Sequence, residues 1–172
     1  MKKILIGFLF LVSSCTFTPI NQVLGNEDYN DVLASVELGK IDSKYPYILK
    51  NYLIHQFNPQ NLDAEKKYIL NVKTTASIED MLVQQDSTVT VKVVRMSTDY
   101  SIKNKSTNKI IAQGSFPTSV SYAETSSHYS SYVNEEYSYK NGLKEVSRNL
   151  KLQTLILISK DTVSENISKR SK

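Results

Sequence analysis

Cys15 is the only thiol in the sequence, and His55 and His128 are its only imidazoles. A lone thiol can serve as a nucleophile, a metal ligand or the acceptor of a modifying group. The histidines lack a metal spacing such as His-x-x-x-His, and His55 reads as a solvated helix residue beside Gln56. Five glycines are present, and none builds a Gly-x-Ser-x-Gly elbow, a phosphate loop or a Gly-rich nucleotide turn. Glu135-Glu136 is the one adjacent pair that suggests acid–base work. Neighbouring residues on a helix point to different sides, so the pair is expected instead to favour a helix N-terminus through the dipole. The chain is therefore expected to hold no metal and no cofactor, and not to be an enzyme.

Chemistry concentrates on Cys15 because of what precedes it. Lys2 and Lys3 open the chain, Ile4 to Val12 is apolar apart from Gly7, and Ser13-Ser14 then lead into the cysteine. Nine apolar residues make about 14 Å of helix, less than half of what a membrane core requires. The run reads as the h-region of a signal peptide. Basic start, short apolar run and small-small-Cys together resemble the bacterial lipoprotein signal. A plain secretory signal with an incidental cysteine is the alternative. The resemblance implies cleavage before Cys15, a diacylglycerol on its sulfur and a further acyl chain on the new amine, which together anchor firmly. In that class an Asp after the cysteine tends to retain the protein at the inner membrane, so Thr16 favours the outer one.

Residues 1–14 are then a signal peptide, and 158 residues remain, one ordinary domain. Losing Lys2 and Lys3 lowers the net charge from +4 to +2, with 19 basic against 17 acidic residues. That is weak support for a nucleic-acid partner, and none is expected. With Cys15 acylated the mature chain has no disulfide, so stability falls to the core. Eleven tyrosines and no tryptophan are present.

Residues 15–31 hold Pro19, Gly25 and several Asn and Asp, and read as a tether. The folded domain is expected over 32–159. Its first strand is placed at Val32–Ile41, with Val36 and Leu38 on one face. Asp42 or Ser43 would cap a helix that takes Pro46 in its first turn and ends before Asn58-Pro59. Leu49, Leu53 and Phe57 form its stripe. Alternation over Lys67–Ala76 gives a second strand, and Ile78–Ser87 reads as a polar connection. Met81-Leu82-Val83 interrupts it with apolar residues, a misfit that can mark a contact surface or a loop folded onto its own core. Thr88–Lys103 changes phase, which predicts a bulge near Val93-Val94. After turn residues 105–108, Lys109–Tyr122 forms a fourth strand with Ile110, Ala112, Gly114, Phe116 and Val120 on one parity. Pro117 places part of that strand at an edge or bend. A final helix from Tyr132 to Ser159 would bury Val133, Leu143, Val146, Leu150 and Leu157, with Gly142 a weak point. Residues 160–172 read as a disordered tail. The sum is an α+β fold: a small four-stranded mixed sheet with two helices packed on one face.

That order resembles the LPS-assembly lipoprotein family, the lipoprotein subunit of the outer-membrane lipopolysaccharide translocon, in its alphaproteobacterial form. Cys15-Thr16-Phe17-Thr18-Pro19 is similar to the family's Cys-Gly-Phe-x-Pro opening, with Thr16 in place of glycine. Asp99-Tyr100-Ser101-Ile102 and Lys109-Ile110-Ile111-Ala112-Gln113-Gly114 resemble its third and fourth strands. His128-Tyr129-Ser130-Ser131 with Asn134-Glu135-Glu136 resembles the lead into its last helix. The resemblance implies a non-enzymatic outer-membrane lipoprotein facing the periplasm. Such a protein plugs and helps assemble a β-barrel partner, as a heterodimer, and contacts lipopolysaccharide. On this reading Met81, Leu82 and Val83 are the candidate barrel contact, by their apolar character in a loop. Lys103, Lys105 and Lys109 are the candidate lipopolysaccharide contact, by positive charge around one turn, with a solvated hairpin end as the other reading. Two other classes stay open: a freestanding lipoprotein that binds a soluble partner or ligand, and a lipid-binding auxiliary of a transport complex.

Overall fold

The structure, a computed structural model, describes residues 29–83 and 90–170. Cys15, the signal peptide and most of the tether lie outside the described residues. The chain forms α1 (Tyr29–Ala34), β1 (Val36–Asp42), α2 (Pro46–Phe57), β2 (Tyr68–Val83), β3 (Thr90–Asn104), β4 (Ile110–Glu124) and α3 (His128–Arg170). The four strands lie in the order β1-β2-β3-β4. β1 runs parallel to β2, while β2, β3 and β4 form an antiparallel meander. The α+β mixed sheet expected from the sequence is thus the observed fold.

Helix α2 follows directly from its sequence. Pro46 fixes φ at the first turn, and Leu49, Leu53 and Phe57 fall four apart and are buried. The cap expected from Asp42 or Ser43 is not formed, because Asp42 ends β1 and Tyr45 is the N-cap without a side-chain bond. At the other end the Asn58 N–H donates to the Ile54 carbonyl at 2.9 Å. The Asn58 side chain then ties the following turn to both backbone groups of Leu62.

Four expectations about element bounds and bulges need correction. The stretch 32–34, expected as strand, is the end of α1, where Val32, Leu33 and Ala34 are buried in succession, a pattern alternation cannot produce. The stretch 78–83, expected as a loop, continues β2 in register with β3. The bulge expected at Val93-Val94 is absent, since β3 pairs without a break there on both sides. It lies across the ladder instead. Asp80 faces Lys92 and Leu82 faces Val91, leaving Met81 as the extra residue of β2. Finally, α3 starts four residues earlier than expected and runs on through 160–170, expected as a disordered tail.

One core fills the space between the sheet and the helices. β2 and β3 supply Leu70, Val72, Val94, Met96, Tyr100 and Ile102, all at most 9% exposed. α3 supplies Tyr139, Leu143, Val146, Leu150, Leu155 and Ile158, and α2 its three-residue stripe. Val133, expected in the buried stripe of α3, is 41% exposed, and Tyr139 fills the corresponding role. A second bulge at Ile111, between the pairs Ile102–Ala112 and Lys103–Ile110, turns Ile110 outward to 54% exposed against expectation. Inside the core, the hydroxyls of Thr74 and Thr98 pair at 3.2 Å, so neither is left without a partner.

Strand β1 closes one edge with a bulge of its own. Leu38 faces Leu70 and Ile41 faces Val72, so Gly39 and Lys40 oppose Asn71 alone. The Asn71 Oδ1 accepts the Lys40 N–H at 2.9 Å. A Cβ at Gly39 would lie 2.8 Å from Ile69 Cγ2, which makes glycine the residue that fits. The other edge is β4, and Pro117 sits in its middle, as the sequence suggests.

Candidate partner-binding surfaces

The strands turn their odd-numbered residues away from the helices, and these make a polar face. Across it run the rows Asn71–Ser101–Gln113, Lys73–Asp99–Ser115, Thr75–Ser97–Pro117 and Ser77–Arg95–Ser119. Nearly all are exposed, and Pro117 is the one apolar side chain in the four rows, while the next row holds Val93 between Glu79 and Ser121 at 5% exposure. Rows this polar give little reason to pack against a second layer, and suit contact with water or a polar partner. Beside β1 this face dips into an open depression of about 350 Å³ lined by Lys40, Asp42, Asn71, Lys73, Asp99 and Gln113.

At one end of the face, where β2 meets β3, lies the first group of sequence candidates. Met81 is the bulged residue and is 63% exposed. Leu82 and Val83 continue the strand opposite Val91 and Thr90. On the helix side of the same stretch Ala76, Ile78 and Asp80 are also exposed, so this end of β2 projects beyond the helices. Cations here are paired: Lys92 Nζ lies 2.9 Å from Glu124 and 3.8 Å from Asp80, and Arg95 Nε lies 2.6 Å from Glu79. The hydrogen bond to Glu124 outweighs burial and raises the Lys92 pKa above its ordinary value.

The beginning of α3 closes this end. The Asn134 side chain donates to the Ala123 carbonyl at 2.9 Å. Tyr129, Tyr132 and Tyr137 are all more than 60% exposed, as is Tyr47 on α2. This tyrosine cluster was legible only as an unusual tyrosine count, because an α3 starting at Tyr132 leaves Tyr129 outside the helix. Beneath it, Tyr45 and Tyr139 meet edge to face at 5.3 Å. Lys44 Nζ stands 4.8 Å from the Tyr139 ring and 3.4 Å from Glu135. Glu136 pairs with Lys140. The two glutamates therefore serve different partners. They also lie seven and eight residues into α3, past the first turn where a dipole effect would reach.

The second group of candidates lies at the opposite end of β3, about 40 Å from Val91 by strand rise. Asn104 organises this turn. Its Oδ1 accepts the backbone N–H groups of Ser106 and Thr107, and Asn108 takes the left-handed conformation with φ 56°. The turn does bring Lys103, Lys105 and Lys109 to one sheet end. Lys105 Nζ is 2.7 Å from the Glu37 carboxylate. The Lys66 ammonium, nearby, donates to the Ala34 carbonyl at the end of α1. Lys67, Lys103 and Lys109 have no carboxylate within 4 Å among the described residues.

His55 lies in the last turn of α2 and His128 at the start of α3, and both are exposed. Among the described residues no group of three His, Cys, Asp or Glu side chains could hold a metal ion. No described helix is long and apolar enough to cross a membrane.

No protein-family model matches the chain, and no curated protein matches it in sequence. Solved structures do resemble it. A chain described as a lipoprotein from Caulobacter crescentus CB15 superimposes with a TM-score of 0.60 at 15% identity, covering 77% of this chain and 96% of that one. Rare lipoprotein B from Shewanella oneidensis gives 0.53 at 12% identity, over 76% and 98% of the two chains. A minor lipoprotein from Acinetobacter baumannii gives 0.50 at 18% identity, over 70% and 88%. At such identities the likeness establishes the fold, and the fold is one that these lipoproteins share.

Proposed function

We propose that this chain is an outer-membrane lipoprotein, anchored through Cys15, that plugs a β-barrel lipopolysaccharide translocon. In this role it assists assembly of the barrel and delivery of lipopolysaccharide to the outer leaflet. The observation that carries the reading is the polar outer face of the sheet. A barrel lumen is wet and lined by polar side chains, so a plug must offer hydroxyls, amides and balanced charge rather than a greasy patch. The rows from Asn71 to Ser119 offer that over three adjacent strands. The signal-like opening and the lipoproteins that share the fold support the anchored location.

Within this reading Met81, at the projecting end of β2, is the first apolar contact for the barrel wall, with Leu82 and Val83 continuing the same strand. Lys103, Lys105 and Lys109 are the groups that would meet lipid phosphates. The test is to purify the protein with its anchor intact and identify what accompanies it. A photo-crosslinking residue at Ser97, in the centre of the polar face, should capture a barrel protein, and one at His55 on the helix side should not. Recovery without any barrel, or capture from the His55 position alone, would overturn the assignment.

A further inference from the structure

The two edges of the sheet are finished differently. β1 has seven residues, carries Glu37, Lys40 and Asp42, and is interrupted by its bulge at Gly39 and Lys40. Shortness, charge and bulges are the devices that stop a second chain from adding to a sheet. β4 has fifteen residues and no charged one before Glu124. Past its bulge at Ile111 it pairs with β3 without a break, and Pro117 is the one such device along it.

The direction of the backbone groups on β4 follows from β3. The Asn104 N–H donates to the Lys109 carbonyl at 2.9 Å, and the Lys105 N–H to the Lys67 carbonyl at 2.8 Å. Backbone groups alternate in direction along a strand, so even-numbered residues of β3 bond to β4 and odd-numbered ones to β2. From the Ile102–Ala112 pair onward, even residues of β4 therefore face β3 and odd ones face outward. Pro117, opposite Ser97, is odd, and its missing N–H costs the ladder nothing. The outward carbonyl of Ala123 is taken by the Asn134 side chain. Gln113, Ser115, Ser119 and Ser121 keep an outward N–H and C=O, and Pro117 a C=O, with no partner among the described residues. The side chains of these five are exposed. On the helix side Phe116 and Val120 are only half-buried, although Thr98 and Val94 beside them on β3 are fully buried. The outer flank of β4 is thus short of cover as well as of hydrogen bonds.

We infer that the free edge of β4, over residues 113–121, takes up an extended segment of the barrel protein as a fifth strand. This deepens the proposed plug role and rests on it. The segment is not a wall strand, because the strands of a closed barrel are paired on both sides. It is a loop or terminal stretch that places apolar side chains beside Phe116 and Val120 and polar ones on the opposite face. Area argues against a second copy of this chain in that place. Nine paired residues make an edge about 30 Å long and about 10 Å thick, or roughly 600 Å² over both partners. A lasting interface between free proteins needs roughly 1,200 Å² or more. A segment belonging to a partner already seated on the polar face joins without a second association, so the short edge suffices.

Hydrogen exchange resolved to single amides, on the acylated chain alone and in the complex recovered with it, tests this. In the complex the Ser115, Ser119 and Ser121 amides should exchange about tenfold more slowly, or slower still. Combining Ser119→Pro and Ser121→Pro deletes two outward donors and leaves the ladder to β3 whole. The isolated variant should melt with the parent, and its recovery of barrel protein should fall about tenfold. If the variant melts low, the exchange measurement on the parent chain decides alone. Capture from the photo-crosslinker at Ser97 separates the two ideas. A barrel protein captured there while the β4 amides exchange as in the free chain, or while the folded proline variant recovers it undiminished, overturns strand addition and leaves the plug standing. Capture of no barrel protein overturns both. Slowed exchange in the chain alone that grows with concentration, together with a dimer on sedimentation, gives the edge to a second copy and overturns the assignment to the barrel protein.

Discussion

Replacing Gly142 by alanine separates two arguments that disagree in sign. Gly142 lies inside α3, and on helix propensity alone Gly142→Ala should stabilise by about 1 kcal/mol. The structure places that position against β3. A methyl there would sit 2.6 Å from Met96 Cε and 2.9 Å from Met96 Sδ. Met96 is itself only 2% exposed, so its flexible end has little space in which to retreat. Overpacking of this kind costs about 1–3 kcal/mol, which exceeds the propensity gain. The expected net effect is destabilisation by about 1 kcal/mol, read as a fall of roughly 2–4 °C in midpoint for a domain of this size. Thermal melting followed by circular dichroism, with urea unfolding to confirm an unchanged slope, measures it. Met96→Ala alone should cost about 2–5 kcal/mol by leaving a cavity. In the double variant the new methyl enters that cavity, so the two changes should couple favourably by about 1 kcal/mol or more. A Gly142→Ala protein that melts higher than the parent, or a strictly additive double variant, would refute the close approach of α3 to β3.

The remaining predictions are shorter. Leu150 is fully buried at the centre of α3, so Leu150→Ala should cost about 2–5 kcal/mol, and a midpoint within a degree of the parent would show the helix is not packed as described. Burial raises the pKa values of Tyr100, Tyr122 and Tyr139 above the ordinary 10.0, with Glu135 adding to the effect at Tyr122. Their folded pKa values exceed the unfolded ones, so this stability is complete below about pH 10 and is lost as pH rises through the folded values. Unfolding on alkaline titration should therefore coincide with tyrosinate absorbance, and Tyr139→Phe should remove part of that pH dependence. Cys15→Ser should leave an uncleaved precursor, and mass spectrometry of the parent should show an acylated N-terminus; an unmodified mature N-terminus would remove the anchor.

Where a helix covers a strand, the sequence shows it. Leu49, Leu53 and Phe57 define α2 because the period is fixed by a buried stripe, and Pro46 and Asn58 bound it. The hairpin of β3 and β4 is equally plain, since the even residues of both strands face the helices. Legibility fails where cover ends. Past Thr74 the helix-side residues Ala76, Ile78 and Asp80 are exposed, so β2 loses its alternation and is held by backbone pairing that side chains do not advertise. Val93 and Val94 are both buried, which imitates a phase change in β3, although the irregularity belongs to Met81 on the neighbouring strand. Helix α1 is six residues long, too short for any period to emerge. Of the candidate surfaces, the lysine turn was readable because turn residues localise it. The polar face was not, since it exists only once three strands are aligned.

The position of α3 after all four strands sets an order on folding. A ribosome releases the four strands and α2 before the first residue of α3, and Tyr139, Leu143, Val146, Leu150 and Ile158 arrive last. The meander can pair early, because its contacts are local in sequence. Yet until residues 128–170 are present, the inner sides of β3 and β4 lack the helix that covers them. A nascent chain stopped at Thr125 would thus present a ready-made sheet with an open greasy side and a long free edge at β4. Whatever escorts the chain to the place where it folds must shield that side for as long as residues 128–170 are still on their way.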